Sequence, residues 1–181
     1  MGGSQRILDA RQMHGVIRRM ASEIAERHGG VERLLLVGVR TRGVPLAERL
    51  ATEIEALAGR RPPLGILDIN LYRDDFSTVG SQPVVRETHL PPSLEDWLVV
   101  LCDDVLYTGR TVRAALDALV DYGRPRAVEL AVLVDRGLRE LPIQADIVGE
   151  RVATAPGELV EVRFAESDGL DEVLLSGREE G

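Results

Sequence analysis

The stretch Val99-Val-Leu-Cys-Asp-Asp-Val-Leu-Tyr-Thr-Gly-Arg-Thr111 sets three kinds of chemistry side by side without a gap. Leu98 to Leu101, with Cys102 behind them, have the length and β-branching of a strand buried on both faces. Asp103 and Asp104 stand where that strand is expected to end. Thr108-Gly109-Arg110-Thr111 is a hydroxyl-rich turn, and it opens a helical pattern carried by Val112, Ala115, Leu116 and Leu119. A helix N-terminus offers unpaired backbone N–H groups and a positive dipole end to a phosphate. Gly109 lets the backbone come close to that phosphate, and Thr108 and Thr111 add hydroxyl donors. The carboxylates, one strand-end away, can accept hydrogen bonds from sugar hydroxyls. Taken singly, each part has a plainer reading. Paired aspartates also occur at solvated strand ends and at Mg²⁺ sites of receiver or phosphatase type, and Thr-Gly-Arg-Thr can be an ordinary turn and cap. Taken in this order, they describe a site for a phosphorylated sugar.

A second anion site is expected where Leu34 to Val39, a buried strand, runs into Gly38-Val39-Arg40-Thr41-Arg42-Gly43. A helix follows, with Pro45 near its start and Leu46, Leu50, Ile54 and Leu57 inside. Consecutive N–H groups in such a turn can form an anion nest. Arg40 and Arg42 can add charge-assisted bonds worth roughly 1.5–3 kcal/mol each. By itself the turn could equally be a plain βα loop with solvated arginines. Leu64 to Leu71 reads as the next strand. Residues 72–90 are charged and lack helical periodicity, and a loop this long is usually functional or disordered. Tyr72-Arg73-Asp74-Asp75 at its base and Val84-Val85-Arg86 on its return suggest an extended hairpin or lid. Ala127 to Val134 is a further apolar strand. It carries Asp135-Arg136-Gly137 to the carboxyl end of the sheet, where ligands gather in open α/β folds.

The remaining elements position these. Residues 1–8 read as frayed. Asp9 is placed to cap a helix ending at Gly29-Gly30, with Met13, Ile17, Met20 and Ile24 on one face and Arg11, Arg18, Arg19 and Arg27 on the solvated one. The motif strand and helix span Trp97 to Tyr122, and Gly123 is the stop. Ile147-Val148, Leu159 to Phe164 and Asp171 to Leu175 read as short β segments of a small hood over the sheet. With 181 residues, 44% of them apolar and 3% aromatic, one domain (1–181) with an aliphatic core is expected. The net charge of −8 argues against broad wrapping by nucleic acid but leaves room for one basic face. Every basic residue except histidine is arginine, so lysine chemistry is excluded. Cys102 is the single cysteine and cannot form an intrachain disulfide. No apolar run suits a secretory core or a bilayer span, which points to a cytoplasmic protein without membrane partners.

The motif stretches resemble those of type I phosphoribosyltransferases. In detail they resemble the regulators of pyrimidine operons that double as uracil phosphoribosyltransferases. The resemblance rests on Asp103-Asp-Val-Leu-Tyr-Thr-Gly-Arg-Thr111, Gly38-Val-Arg-Thr-Arg-Gly-Val-Pro-Leu-Ala47, Asp68-Ile-Asn-Leu-Tyr-Arg-Asp-Asp75 and Leu133-Val-Asp-Arg-Gly-Leu-Arg-Glu-Leu-Pro-Ile143. It runs from about Arg11 to Phe164. It implies an α/β fold: an open, mostly parallel twisted sheet flanked by helices, with a small hood at about 135–165 and a flexible lid at 72–90. It implies the conversion of uracil and phosphoribosyl pyrophosphate (PRPP) to UMP and pyrophosphate, with Mg²⁺ held by substrate and water rather than directly by the protein. By the same resemblance, Asp103, Asp104 and Arg73 are the catalytic set. Arg40, Thr41, Arg42 and Arg86 hold the diphosphate. Asp103 and Asp104 hold the ribose, and Val105, Leu106, Tyr107, Thr108, Gly109, Arg110 and Thr111 cradle the 5′-phosphate. The base is read largely by backbone groups near Val134, Asp135 and Arg136 and around Val160. Tyr107 stands where purine-using relatives carry an acidic residue facing the purine N7, which favours a pyrimidine.

The resemblance also implies binding of an mRNA leader under control of UMP or UTP, with Arg18, Arg19, Arg27, Arg139 and Arg151 as candidates. It implies a dimer or tetramer. The chain departs from many relatives at Ser22 and Leu138, where they have His, at Gln144, where they have Arg, and at Ala155-Pro156, where they have Ser and a basic residue. The alternative reading is therefore a uracil salvage enzyme without RNA binding.

Overall fold

The computed structural model describes residues 3–28, 32–72 and 87–177. In chain order its elements are β1 (Ser4–Leu8), α1 (Ala10–His28), β2 (Leu34–Val39), α2 (Gly43–Ala58), β3 (Leu64–Leu67), a 3₁₀ turn (Asn70–Tyr72), β4 (Leu98–Leu106), α3 (Arg110–Val120), β5 (Ala127–Asp135), β6 (Ile147–Arg151), β7 (Leu159–Arg163), α4 (Ala165–Asp168) and β8 (Glu172–Ser176). Five strands form a parallel sheet in the order β3-β2-β4-β5-β6. The expected open parallel α/β fold is what the chain adopts. A separate three-stranded antiparallel sheet has the order β1-β8-β7.

The parallel sheet follows from its residues. β2, Leu-Leu-Leu-Val-Gly-Val, is buried throughout, as a strand covered on both faces must be. One face packs Leu36, Val100, Cys102 and Leu133 against α1 and α2. The other packs Val37, Val99, Leu101 and Val132 against α3. The α1 stripe is the expected one, Met13, Ile17, Met20 and Ile24 all being buried. Its start is a reciprocal cap: the Gln12 N–H donates to Asp9 Oδ1 (2.8 Å) and the Asp9 N–H donates to Gln12 Oε1 (2.9 Å). Arg49 of α2 fastens the smaller sheet to this layer. It donates to both oxygens of Glu166 (2.8 and 2.6 Å) and to both of Asp171 (3.0 and 2.7 Å), with its guanidinium 5.1 Å from the Phe164 ring centroid.

Several local expectations are corrected. Residues 4–8 are a strand, paired from Ser4↔Ser176 to Leu8↔Val173; the partner lies at the far end of the chain, so no local pattern reveals it. Ile147-Val148, read as part of the hood, lie in β6 at the edge of the main sheet and pair with β5. β3 stops at Leu67 rather than Leu71 because Asp68 turns the chain: its Oδ1 accepts the Asn70 N–H at 3.0 Å. His89 returns antiparallel beside β3, exchanging two 2.8 Å backbone bonds with Ile66. Residues 73–86, which include Arg73, Arg86 and most of the expected lid, lie outside the described residues.

Candidate active site

The turn after β4 forms a cavity of about 310 Å³ lined by Val105 to Val112 and Glu140. Gly109 adopts φ +94°, and a Cβ there would lie 3.3 Å from Leu141 Cβ, so the position favours glycine twice over. As the residue before α3 it offers no side-chain cap, and first-turn amides of a helix have no intrahelical acceptor. The turn is braced from outside. The Thr108 carbonyl accepts the N–H groups of Glu140 (2.9 Å) and Leu141 (3.0 Å), Thr108 Oγ1 accepts the Arg110 N–H at 3.2 Å, and Arg110 Nε donates to Glu140 Oε2 at 2.7 Å. Backbone amides at a helix start, hydroxyls and a restrained glycine suit a tetrahedral anion.

The acidic pair sits differently from the expectation. β4 continues to Leu106 because its pairing with β5 runs as far as Leu106↔Asp135, so Asp103 and Asp104 lie within the strand rather than at its end. Successive strand residues face opposite ways. That alternation sets Leu101 toward α3 and Cys102 toward α2, and it breaks beyond Asp103: Val105 packs with the Cys102 cluster and Leu106 with the Leu101 cluster. Asp103 is buried, and its Oδ1 accepts the Asp104 N–H at 3.0 Å. The turn's cavity begins at Val105, so the carboxylates flank it instead of lining it. Complete burial, reinforced by the charge of Asp103, pushes the Cys102 thiol up, leaving it inert.

The arginine-bearing loop after β2 leads into Gly43, which is pressed onto the middle of β4. A Cβ on Gly43 would lie 2.3 Å from the Cys102 carbonyl oxygen, and one on Gly38 would lie 2.6 Å from Val44 Cα. The Arg40–Thr41 peptide is cis, a geometry the residue types do not announce. Arg40 donates through Nε and Nη2 to the Glu87 carbonyl (3.2 and 3.1 Å). Arg42 forms an ion pair with Asp168 of α4, Nη2 to Oδ1 at 2.9 Å. That hydrogen bond raises the guanidinium and holds the Asp168 carboxyl below the ordinary carboxylate range. Asp104 adds to the field at Arg42.

At the expected base end, Val134 is buried and paired on both sides, with Val105 and with Glu150, and Val160 is buried in the same cluster. Asp135 accepts from the Gly137 N–H (3.0 Å) and from Arg139 Nη2 (2.8 Å). Arg136 is different. It is 4% exposed, its guanidinium lies 4.0 Å from the Tyr107 ring centroid, and its buried Nε and Nη2 have no hydrogen-bond partner. Sequence reasoning named its backbone and passed over its side chain, because an orphaned donor is a property of three dimensions.

Of the RNA candidates, Arg139 is taken up by the fold, donating also to the Ile143 (2.8 Å) and Tyr107 (3.0 Å) carbonyls. Arg19 donates to the carbonyls of Val148 and Gly149. Arg27 pairs with Glu23 and reaches the Asp146 carbonyl. Arg151 is exposed at the end of β6. Arg18 leans the other way, 3.6 Å from Glu53 of α2. Among the described residues no three His, Cys, Asp or Glu side chains converge as a metal cage, and no helix is long and apolar enough to cross a membrane. Two carboxylates beside an anion pocket fit a cation that arrives on a diphosphate.

This arrangement of sheet, turn and acidic pair defines a phosphoribosyltransferase, and the phosphoribosyl transferase domain family matches residues 3–163. A hypoxanthine phosphoribosyltransferase of Staphylococcus aureus superposes with a TM-score of 0.71 at 18% identity, over 97% of this chain and 93% of that one; at that identity the likeness concerns the fold. The proteins named bifunctional protein PyrR are far more similar. That of Deinococcus radiodurans is 57% identical, over 93% of this chain and 92% of its own length. That of Thermus thermophilus is 54% identical, over 96% of both. The chain belongs to the PyrR family of phosphoribosyltransferases.

Proposed function

We propose that this chain transfers a phosphoribosyl group from PRPP to uracil, and that it also regulates pyrimidine genes by uridine-nucleotide-dependent binding of an mRNA leader. The observation that carries this reading is the 57% identity to a bifunctional PyrR over nearly the whole chain, joined to the 310 Å³ cavity at the motif turn. The reaction breaks the C1–oxygen bond of PRPP, releases pyrophosphate with the bonding pair, and joins C1 to N1 of uracil, which loses its proton. The sugar becomes oxocarbenium-like on the way, as in glycoside chemistry, and no protein nucleophile is needed.

Positioning and charge then carry the catalysis. The amides and hydroxyls of Thr108 to Thr111 hold the 5′-phosphate. Asp103 and Asp104 accept hydrogen bonds from the ribose hydroxyls, and their negative charge favours the cationic sugar. Arg40 and Arg42 exchange the Glu87 carbonyl and Asp168 for the diphosphate, with Arg73 and Arg86 as further diphosphate or catalytic candidates outside the described residues. Mg²⁺, when bound with PRPP, neutralises the diphosphate. Uridine nucleotides use the same pocket as effectors, and Arg18, Arg27 and Arg151 are the candidates left most open to RNA phosphates. Self-association into a dimer or tetramer and a cytoplasmic location complete the proposal. Two assays test it. Purified protein with Mg²⁺, PRPP and each base in turn is expected to form UMP from uracil; preference for hypoxanthine or guanine overturns the assignment. A gel shift with the gene's own leader RNA is expected at low salt, where phosphate attraction is strongest, and to respond to UMP; no shift there removes the regulatory half.

A further inference from the structure

Arg136 is a buried cation with donors to spare. Its Nε and Nη2 are buried without an acceptor, while the ring of Tyr107 lies 4.0 Å from its guanidinium carbon and is itself 41% exposed. Buried polar groups in folded proteins nearly always find partners, and this orphan lies against Tyr107, which lines the cavity of the motif turn, so a ligand there can supply the missing acceptor. The fold holds the residue in place from the backbone: its N–H donates to the Leu106 carbonyl (3.1 Å) and its carbonyl accepts from Thr154 Oγ1 (3.0 Å). Those bonds fix the main chain of Arg136 at the carboxyl end of β5, and its guanidinium lies against the ring of Tyr107. The two anionic ends of PRPP have their own donors in the 108–111 and 40–43 turns. What remains for Arg136 is the base.

Resting on the uracil phosphoribosyltransferase reading, we infer that Arg136 selects the base by donating to the C4 carbonyl of a pyrimidine. A guanidinium can only donate. Uracil presents a carbonyl acceptor at C4, whereas cytosine presents an amino donor there. N1 must face the ribose, with O2 beside it, so a donor set back behind Tyr107 meets the far side of the ring, where O4 is. Tyr107 is stacked on one face and open to solvent, so rotation of its ring uncovers the donors without disturbing the core. The 4-oxo base then fills the missing acceptor, and a 4-amino base leaves donor against donor. Sites built to hydrogen-bond one group reject analogues that lack it far more strongly than apolar pockets reject an extra methylene.

Equilibrium binding of UMP, CMP and ribose 5-phosphate to the full chain, by calorimetry, tests this. The unmodified protein is expected to bind UMP at least about tenfold more tightly than CMP, the scale of one charge-assisted bond. Arg136→Gln is expected to bring that ratio to within about threefold by weakening UMP, with ribose 5-phosphate unchanged. A folded Arg136→Gln protein that keeps the ratio overturns the inference, and so does a parallel loss of ribose 5-phosphate, which would make Arg136 a phosphate ligand. Should Arg136→Gln not fold, Arg136→Lys decides: it keeps a cation over Tyr107 but loses the planar fork, and an unchanged ratio there overturns the inference equally. An unmodified protein that makes no UMP from uracil and PRPP sinks the transferase reading itself; one that makes UMP while its variants keep their selectivity sinks only the role of Arg136.

Discussion

Arg49 and Arg136 are both sheltered arginines set beside an aromatic ring, Phe164 in one case and Tyr107 in the other. Arg49 spends its fork on two carboxylates and joins α2 to the smaller sheet. Arg136 has two buried nitrogens and nothing to give them to. The first pattern is what a fold does with a cation: desolvation is offset by charge-assisted bonds, and each partner's shift records it. The hydrogen bond from Arg49 lowers Glu166, and at Asp171 burial works upward but the bonds from Arg49 and the Ala165 N–H prevail. The second pattern is what a site does, leaving a donor in place for something that is not part of the chain. The contrast turns a list of arginines into two classes with different expected phenotypes.

The largest effect lies at the acidic pair. Asp104→Asn is expected to lower turnover by about ten- to a thousandfold, on the scale of one lost transition-state interaction, while the UMP to CMP ratio stays put; steady-state kinetics and calorimetry separate the two. Arg49→Met is expected to do the reverse. Removing it leaves Glu166 and Asp171 facing each other, a loss of about 1–3 kcal/mol, between the scales of exposed and buried ion pairs, read as a lower urea midpoint with base selectivity intact. A change in selectivity there would erase the distinction between the two arginines. Gly43→Ala comes next, since the added methyl meets the Cys102 carbonyl at 2.3 Å. Overpacking costs about 1–3 kcal/mol, and the displaced loop is expected to raise KM for PRPP more than KM for uracil.

The smallest effect is at Asp168, whose carboxyl is lowered chiefly by the hydrogen bond from Arg42. A lowered carboxyl contributes stability above its unfolded value and loses it as the pH falls through the folded one. Asp168→Asn is therefore expected to cost under about 1 kcal/mol near neutrality, the range of a partly exposed pair. The unfolding curves of the two proteins are expected to converge below about pH 4, the ordinary aspartate value. A gap that widens on acidification would contradict the role given to that pair.

What the sequence disclosed, and what it hid, divides along the same line between local and distant causes. Leu34–Val39 was legible to the residue because burial on both faces leaves an unbroken apolar run. The α1 start was legible because Asp9, a capping residue type, stands just before the apolar stripe, and its carboxylate does accept the Gln12 N–H. β1 was not, since Ser4 pairs with Ser176. β6 was assigned to the wrong sheet because a short apolar pair does not say which neighbour it will meet. The helix opening after the Thr108–Thr111 turn could be read from its glycine and the apolar spacing that follows. That the cavity would leave out Asp103 and Asp104 could not, because it depends on how far β5 extends the pairing of β4. Arg19 and Arg139 look like free surface cations in one dimension and prove to be occupied by carbonyls. Arg136 carries the opposite surprise.

The most direct examination is a crystal structure of the full chain with bound UMP. The phosphate is expected on the amides and hydroxyls of Thr108 to Thr111, the ribose hydroxyls near Asp103 and Asp104, and O4 within hydrogen-bond distance of Arg136. A nucleotide seated instead in the cleft lined by His14, Arg49 and Arg61, or in the motif turn with its base turned away from Arg136, would contradict the account.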